Sequence, residues 1–69
     1  MEYRLFDQKD RSAPLTAETF EDSFAAERWA RQWAASNGTT DDYHIESSDG
    51  SHAARLFRTT GGQWYVMRQ

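Results

Sequence analysis

Residues 23–36, SFAAERWARQWAAS, carry the pattern that decides the fold of this chain. Four apolar residues in this stretch stand at positions i, i+3, i+4 and i+7, the spacing of one buried helical face: Ala26, Trp29, Ala30 and Trp33. Phe24 lies about 140° from Trp29 around such a helix, so it does not belong to that face. The pattern predicts one helix, over about residues 23–36, whose alanine and tryptophan face packs on a sheet.

The residues at both ends of this helix fit its boundaries. Asp22 or Ser23 can accept hydrogen bonds from the free N–H groups of the first turn. The Asn37-Gly38 pair predicts a left-handed residue that closes the helix. Acidic residues gather near the start, and we interpret them as a solvated surface that matches the positive end of the helix dipole: Glu18, Glu21, Asp22 and Glu27.

The segment before the helix predicts a strand followed by a loop. Residues 2–6, EYRLF, largely alternate polar and apolar side chains, as a half-buried strand does. Residues 7–14 are mostly polar and end in Pro14, which is typical of a loop. Residues 15–20 are expected to form at most a second, weak strand.

The segment after the helix predicts three strands joined by tight turns. Residues 43–46 alternate, and Asp49-Gly50 is a strong hairpin signal. Residues 55–58 return as the next strand, and Gly61-Gly62 turns the chain again. Residues 63–67, QWYVM, are rich in side chains that favour strands. The whole chain is therefore predicted to be a single α+β domain, in which one helix packs on three or four antiparallel strands in the order β-α-β-β-β.

Length, charge and the absence of cysteine exclude several classes of protein. Sixty-nine residues allow one core, and a chain without cysteine has no disulfide and no thiolate zinc site. The net charge of −3 argues against a general nucleic-acid binder. No apolar stretch approaches the roughly 18 residues of a membrane helix, and the first ten residues lack the pattern of a signal peptide. We expect a cytoplasmic protein with no membrane association.

The register of the predicted hairpins assigns side chains to the two faces of the sheet. Pairing across Asp49-Gly50 places Tyr43 and Leu56 on the face that meets the helix, with His44 and Phe57 on the opposite face. A three-residue loop at Gly61-Gly62 would turn Trp64 and Val66 inward and Tyr65 and Met67 outward. A loop of two or four residues would reverse them. We favour the arrangement with Trp64 inward.

The opposite face of the sheet is the predicted contact site, because a single helix cannot cover both faces and aromatic residues and arginine favour interfaces. The expected partner-binding residues are four on this face, with acidic support from two before the helix: Arg55, Phe57, Tyr65 and Met67, then Glu21 and Asp22. The competing interpretation is that the first strand, the 7–20 segment or a second copy of the chain covers this face.

One cluster contains the residue types of a catalytic or metal site: His44, Glu46, Ser47, Ser48, Asp49 and His52. The predicted register argues against such chemistry, because His44 and His52 then lie on opposite faces of the sheet and cannot converge on one ion. We therefore expect no catalytic residue, no metal ligand and no cofactor.

These observations favour a noncatalytic protein-binding module. A very short, acidic, cysteine-free α+β chain is similar in size and charge to the stand-alone inhibitors that phages make against host enzymes, which implies an inhibitor or adaptor that binds a larger nucleic-acid-handling protein. One alternative is a platform for single-stranded nucleic acid, in which arginines interleave with aromatic side chains: Arg55, Arg58 and Arg68 with Phe57, Trp64 and Tyr65. The other is a homodimer that buries the same sheet face.

Overall fold

The computed structural model describes residues 1–38 and 40–69 and confirms an α+β fold with one helix packed on an antiparallel sheet. The elements follow in the order β1 (Glu2–Asp7), β2 (Thr16–Thr19), α1 (Ser23–Asn37), β3 (Asp42–Ser47), β4 (Ala53–Arg58) and β5 (Trp64–Arg68). The sheet has five strands rather than three or four, in the spatial order β2-β1-β3-β4-β5. The extra strand is β2, which pairs with β1 although its own sequence is only a weak strand former.

The helix α1 follows the predicted pattern closely. Ala26, Ala30 and Ala34 are buried against the sheet, and Trp29 and Trp33 pack at the margin of the same core. The Asp22 carboxylate caps the helix by accepting a 2.8 Å hydrogen bond from the Ala25 N–H, which satisfies one free donor of the first turn.

The helix does not end in the predicted left-handed residue. Gly38 is extended, with φ −69° and ψ 140°, and its N–H donates to the Ala34 carbonyl at 3.0 Å. Glycine is needed there for space, since a Cβ would collide with the Ala34 carbonyl oxygen and the Tyr43 hydroxyl. The left-handed conformation predicted from Asn37-Gly38 was therefore wrong. The close approach of helix and sheet at Gly38, rather than its backbone conformation, requires glycine.

The core lies between α1 and one face of the sheet. Tyr43 pairs with Leu56 and Ile45 pairs with Ala54, as predicted, and Leu5 of β1 continues the Ile45 row. Tyr43 is fully buried. Its ring meets Trp33 edge-on, with centroids 6.3 Å apart, and the centroid of the Trp64 ring lies 5.9 Å from that of Tyr43. Aromatic burial of this kind supplies much of the stability of so small a domain.

The hairpin between β3 and β4 turns at Asp49 and Gly50. Gly50 has φ +76°, the left-handed conformation that glycine adopts without strain. The Asp49 carboxylate accepts hydrogen bonds from the Ser51 N–H at 3.0 Å, the Ser51 hydroxyl at 2.7 Å and the Ser47 hydroxyl at 2.8 Å. These bonds, led by those from Ser51, lower the pKa of Asp49 to about 2.

The hairpin between β4 and β5 has the loop length that turns Trp64 inward. The Thr59 N–H donates to the Gln63 carbonyl at 2.9 Å, so three residues form the loop, with Gly62 at φ +84°. Trp64 packs beside the core and Tyr65 lies on the opposite face, which confirms the favoured arrangement. No helix in the described part of the chain is long and apolar enough to cross a bilayer.

Candidate partner-binding face

The sheet face opposite α1, called the outer face below, collects most of the side chains predicted to bind a partner. Strand pairing arranges it in rows, of which the two that contain those residues are Asp42-Phe57-Tyr65 and Phe6-His44-Arg55-Met67. The structure therefore brings Arg55, Phe57, Tyr65 and Met67 together on two adjacent strands.

The exposed apolar part of the outer face lies on β4 and β5. Tyr65 is 49% exposed and Met67 is 52% exposed, while Phe57 beside them is half-buried. The rings of Phe57 and Tyr65 lie 6.1 Å apart between centroids. The Tyr65 hydroxyl donates to Gln63 Oε1 at 2.8 Å and keeps the ring against the strand. Adjacent half-exposed side chains of this size are typical of a contact surface.

Arg55 is held in place at the centre of this face by two neighbours. Its Nε and Nη2 donate to the two carboxylate oxygens of Asp42 at 2.8 and 2.7 Å, and its guanidinium lies 5.1 Å from the centre of the Phe57 ring. The hydrogen bond from Arg55 lowers the pKa of Asp42, and the same bond raises the pKa of Arg55. Arg55 thus offers a pre-ordered planar surface with little side-chain entropy left to lose on binding.

The outer face is less open than we expected at its β1 and β3 side. His44 points to this face as predicted but is only 2% exposed, and its ring lies 6.0 Å from the ring of Phe6, which is itself at the margin of burial. His44 Nε2 is 3.3 Å from Glu46 Oε1, and its Nδ1 is buried without a hydrogen-bond partner. The exposed large apolar side chains of this face are therefore confined to β4 and β5.

His52 lies on the helix side, so the two imidazoles point to opposite faces as the register predicted. Its Nε2 is 3.2 Å from Glu27 Oε2, but the two atoms are not aligned for a hydrogen bond. Within residues 1–38 and 40–69, no three side chains of the metal-binding acidic, histidine or cysteine types come together.

Glu27 was predicted to lie on the solvated helix surface, and this was wrong. Its side chain is buried, with the residue only 6% exposed, because it forms a paired ion contact with Arg68 of β5. Arg68 also stacks on Phe24, whose ring centre is 4.6 Å from its guanidinium and which remains 65% exposed. Helical periodicity places Glu27 beside the Ala30 face, but the arginine that draws it inward is distant in sequence.

Glu21 and Asp22 are not brought to the outer face. They lie in the segment between β2 and α1, and β2 and β5 are the opposite edges of the sheet. One carboxylate oxygen of Asp22 is already engaged by the helix cap. Their role as acidic support for binding remains a prediction, and the fold does not place them next to the other four predicted residues.

The alternative function, a platform for single-stranded nucleic acid, uses three arginines. Of these only Arg55 lies on the outer face with the exposed aromatic side chains. Arg58 pairs with Trp64 on the helix side and bonds Asp41 at 2.8 Å, and Arg68 bonds Glu27. Arg55 alone stands beside Phe57, and Asp42 neutralises it. Arginines paired in this way release fewer counterions on binding phosphate than free ones.

One groove is lined by residues other than the outer-face side chains named above. It is a solvent-open depression of ≈ 480 Å³ at the β4-β5 turn, lined by Asp41, Arg58 and residues 59–62. Asp41 and Arg58 bond each other, so among the described residues the lining presents no unpaired charged group. Comparison of the chain with protein-family models, curated proteins and solved structures gives no match.

Proposed function

We propose that this chain is a noncatalytic protein-binding module that uses the outer face of its sheet as the contact surface. The observation that supports the proposal is the adjacency of three apolar side chains, Phe57, Tyr65 and Met67, on the face of β4 and β5 that the helix does not cover. Such residues are typical energetic centres of interfaces, because they exclude much water with few rotatable bonds.

The charges of the outer face favour a protein partner over nucleic acid. This face has two arginines and three carboxylates: Arg4, Arg55, Glu2, Asp42 and Glu46. Arg4 bonds Glu2 at 3.0 Å and Arg55 bonds Asp42, so each cation has an acidic neighbour. A balanced, paired surface around an apolar centre resembles the core and polar rim of a protein interface. Inhibition or recruitment of a larger nucleic-acid-handling protein is the finer form of this proposal.

The test is affinity capture from lysate of the natural host, with and without nuclease. Phe57→Ala/Tyr65→Ala should abolish capture of a discrete, nuclease-resistant protein, since truncation of central interface residues costs about 2 kcal/mol or more each. The matched control is Leu15→Ala/Phe24→Ala, which removes two exposed apolar side chains elsewhere on the surface. Circular dichroism should show all variants folded.

Two outcomes contradict this proposal. Equal loss of capture with both double variants would show that general surface hydrophobicity, rather than the outer face, holds the partner. Loss of everything on nuclease treatment would instead support the nucleic-acid platform, whose affinity should fall steeply with salt and with Arg55→Ala.

A further inference from the structure

The two edges of the sheet differ in how well they are protected against pairing with another strand. Native edge strands are blunted by shortness, charge, proline or bulges. The β2 edge fits this rule, with four residues, Glu18 among them, and Pro14 just before it. The β5 edge, WYVMR, has only its terminal Arg68 as a charge, and Trp64, Tyr65 and Val66 are strong strand formers.

The backbone of β5 offers a regular row of hydrogen-bonding groups to solvent. The pairs Thr59 with Gln63 and Ala53 with Gln69 are hydrogen-bonded, each with an N–H to carbonyl distance of 2.9 Å. Antiparallel pairing alternates, so Tyr65 and Met67 direct their backbone groups toward β4. Trp64, Val66 and Arg68 therefore direct their N–H and C=O groups toward the open edge.

We propose that this edge pairs with β5 of a second copy of the chain, antiparallel and centred on Val66, to give one continuous ten-stranded sheet. Val66 would face Val66 of the second copy, and Trp64 would face Arg68 of the second copy. All six outward backbone groups of each β5 are then hydrogen-bonded. A register shifted by two residues in either direction leaves part of this row unpaired.

The side chains of β5 complement each other in this register. On the outer face Tyr65 lies opposite Met67 of the second copy, twice by symmetry, so the half-exposed ring and thioether cover each other. On the helix side Arg68 lies opposite Trp64 of the second copy rather than opposite another Arg68, which joins cation to ring and separates like charges.

The proposed dimer is distinct from one that buries the outer face, and it does not depend on the protein partner proposed above. A two-fold axis perpendicular to the sheet leaves both outer faces on the same side. The two Phe57 and Arg55 surfaces would then lie next to each other and remain open to solvent.

The first measurement is the mass in solution by sedimentation equilibrium. We expect wild type to reach twice the 8.0 kDa of the chain as concentration rises. Val66→Pro removes only an N–H directed to the open edge, so it should raise the dimer dissociation constant at least tenfold (about 1.4 kcal/mol). Phe57→Ala, a change on the outer face of β4, is the matched control and should leave the dimer intact.

A charge-swap pair of variants tests the register even if the proline variant unfolds. Tyr65→Lys/Met67→Lys and Tyr65→Glu/Met67→Glu should each be folded and monomeric, because like charges then lie directly opposite each other. Their equimolar mixture should dimerise, because each introduced lysine faces an introduced glutamate.

Three results would overturn the proposal. They are a wild type that stays monomeric up to about 1 mM, a charge-swap mixture that does not associate, and a dimer that Phe57→Ala abolishes while Val66→Pro leaves it intact. The last result would assign dimerisation to the outer face. If wild type captures no nuclease-resistant protein in the previous experiment while it still dimerises, only the protein partner is contradicted.

Discussion

Arg68 and Glu27 are joined by a two-pronged ion pair, with Arg68 Nε 3.0 Å from Glu27 Oε2 and Arg68 Nη2 3.1 Å from Glu27 Oε1. The pair connects β5 to α1 across 41 residues of sequence. Glu27 is nearly buried, whereas Arg68 is half-exposed to water. Loss of the ion pair would therefore leave the carboxylate of Glu27 far less solvated than the guanidinium of Arg68.

Arg68→Met should lower the free energy of unfolding by about 1–3 kcal/mol, since it keeps the aliphatic stem but leaves a buried carboxylate without its main partner. Adding Glu27→Gln should recover part of that loss, because a neutral amide is cheaper to bury than a charge. Urea unfolding at neutral pH measures both. Arg31→Met, a change at an exposed helix position, is the control and should stay within about 0.5 kcal/mol. Simple additivity of the two substitutions would contradict the coupling.

The Asp49 turn should make the protein acid-sensitive in a defined range. Its pKa is about 2 in the folded chain against an ordinary value of 3.8, so folding is favoured while Asp49 is ionised. This contribution is complete above the ordinary value and is lost as the pH falls toward 2. Thermal melting between about pH 5 and about pH 2 should therefore show a smaller decline for Asp49→Asn than for wild type. Glu21→Gln, which removes one exposed carboxylate outside this turn, is the matched control for the loss of a negative charge as such.

Gly38→Ala should destabilise the fold by about 1–3 kcal/mol, as overpacking of a tight contact does. The added methyl group meets the Ala34 carbonyl and the Tyr43 hydroxyl. Tyr43→Phe alone should be neutral or stabilising, because that buried hydroxyl has no hydrogen-bond partner. Combining the two changes should recover part of the Gly38→Ala loss. Gly61→Ala, where a Cβ meets only ordinary contact, serves as the control, and an equal cost at both glycines would argue against the steric cause.

The core should respond to truncation far more strongly at Leu5 than at Leu15. Leu5 is fully buried between β2 and β3 on the helix side, so Leu5→Ala should cost about 2–5 kcal/mol. Leu15 is half-exposed, and Leu15→Ala should change the stability by less than about 0.5 kcal/mol. Guanidinium unfolding followed by tryptophan fluorescence compares the two. Similar losses would show that the residue 15 side chain is packed more tightly than its exposure indicates.

Most of the fold is predictable from the sequence because local patterns and turn chemistry agree. The spacing of Ala26, Trp29, Ala30 and Trp33 gives the helix, and Asp49-Gly50 gives the register that pairs Tyr43 with Leu56. The strand Thr16–Thr19 is hard to predict because neighbouring β1, rather than its own composition, stabilises it. Local propensity is a weak guide wherever the partner strand supplies the hydrogen bonds.

The candidate site is predictable in part for the same reason. Alternation places Phe57, Tyr65 and Met67 on one face once the loop length is known. Burial of His44 depends on Phe6 of β1, and burial of Glu27 depends on Arg68, two relationships between distant segments. A single sequence contains no local signal for either contact, since each joins two segments that are far apart in the sequence.

That strand order also has a kinetic consequence. β1 occupies an interior position in the sheet, with β2 on one side and β3 on the other. Its Tyr3 pairs with Ser47, and the whole of α1 lies between these two residues in the sequence. Local hairpins form faster than contacts between distant segments. We expect β3, β4 and β5 to order first and β1 to dock late, which pulsed amide exchange would show as delayed protection of Leu5 relative to Leu56. Protection of both at the same rate would contradict this order. A strand that leaves the ribosome before the other four would thus be among the last to be held in place.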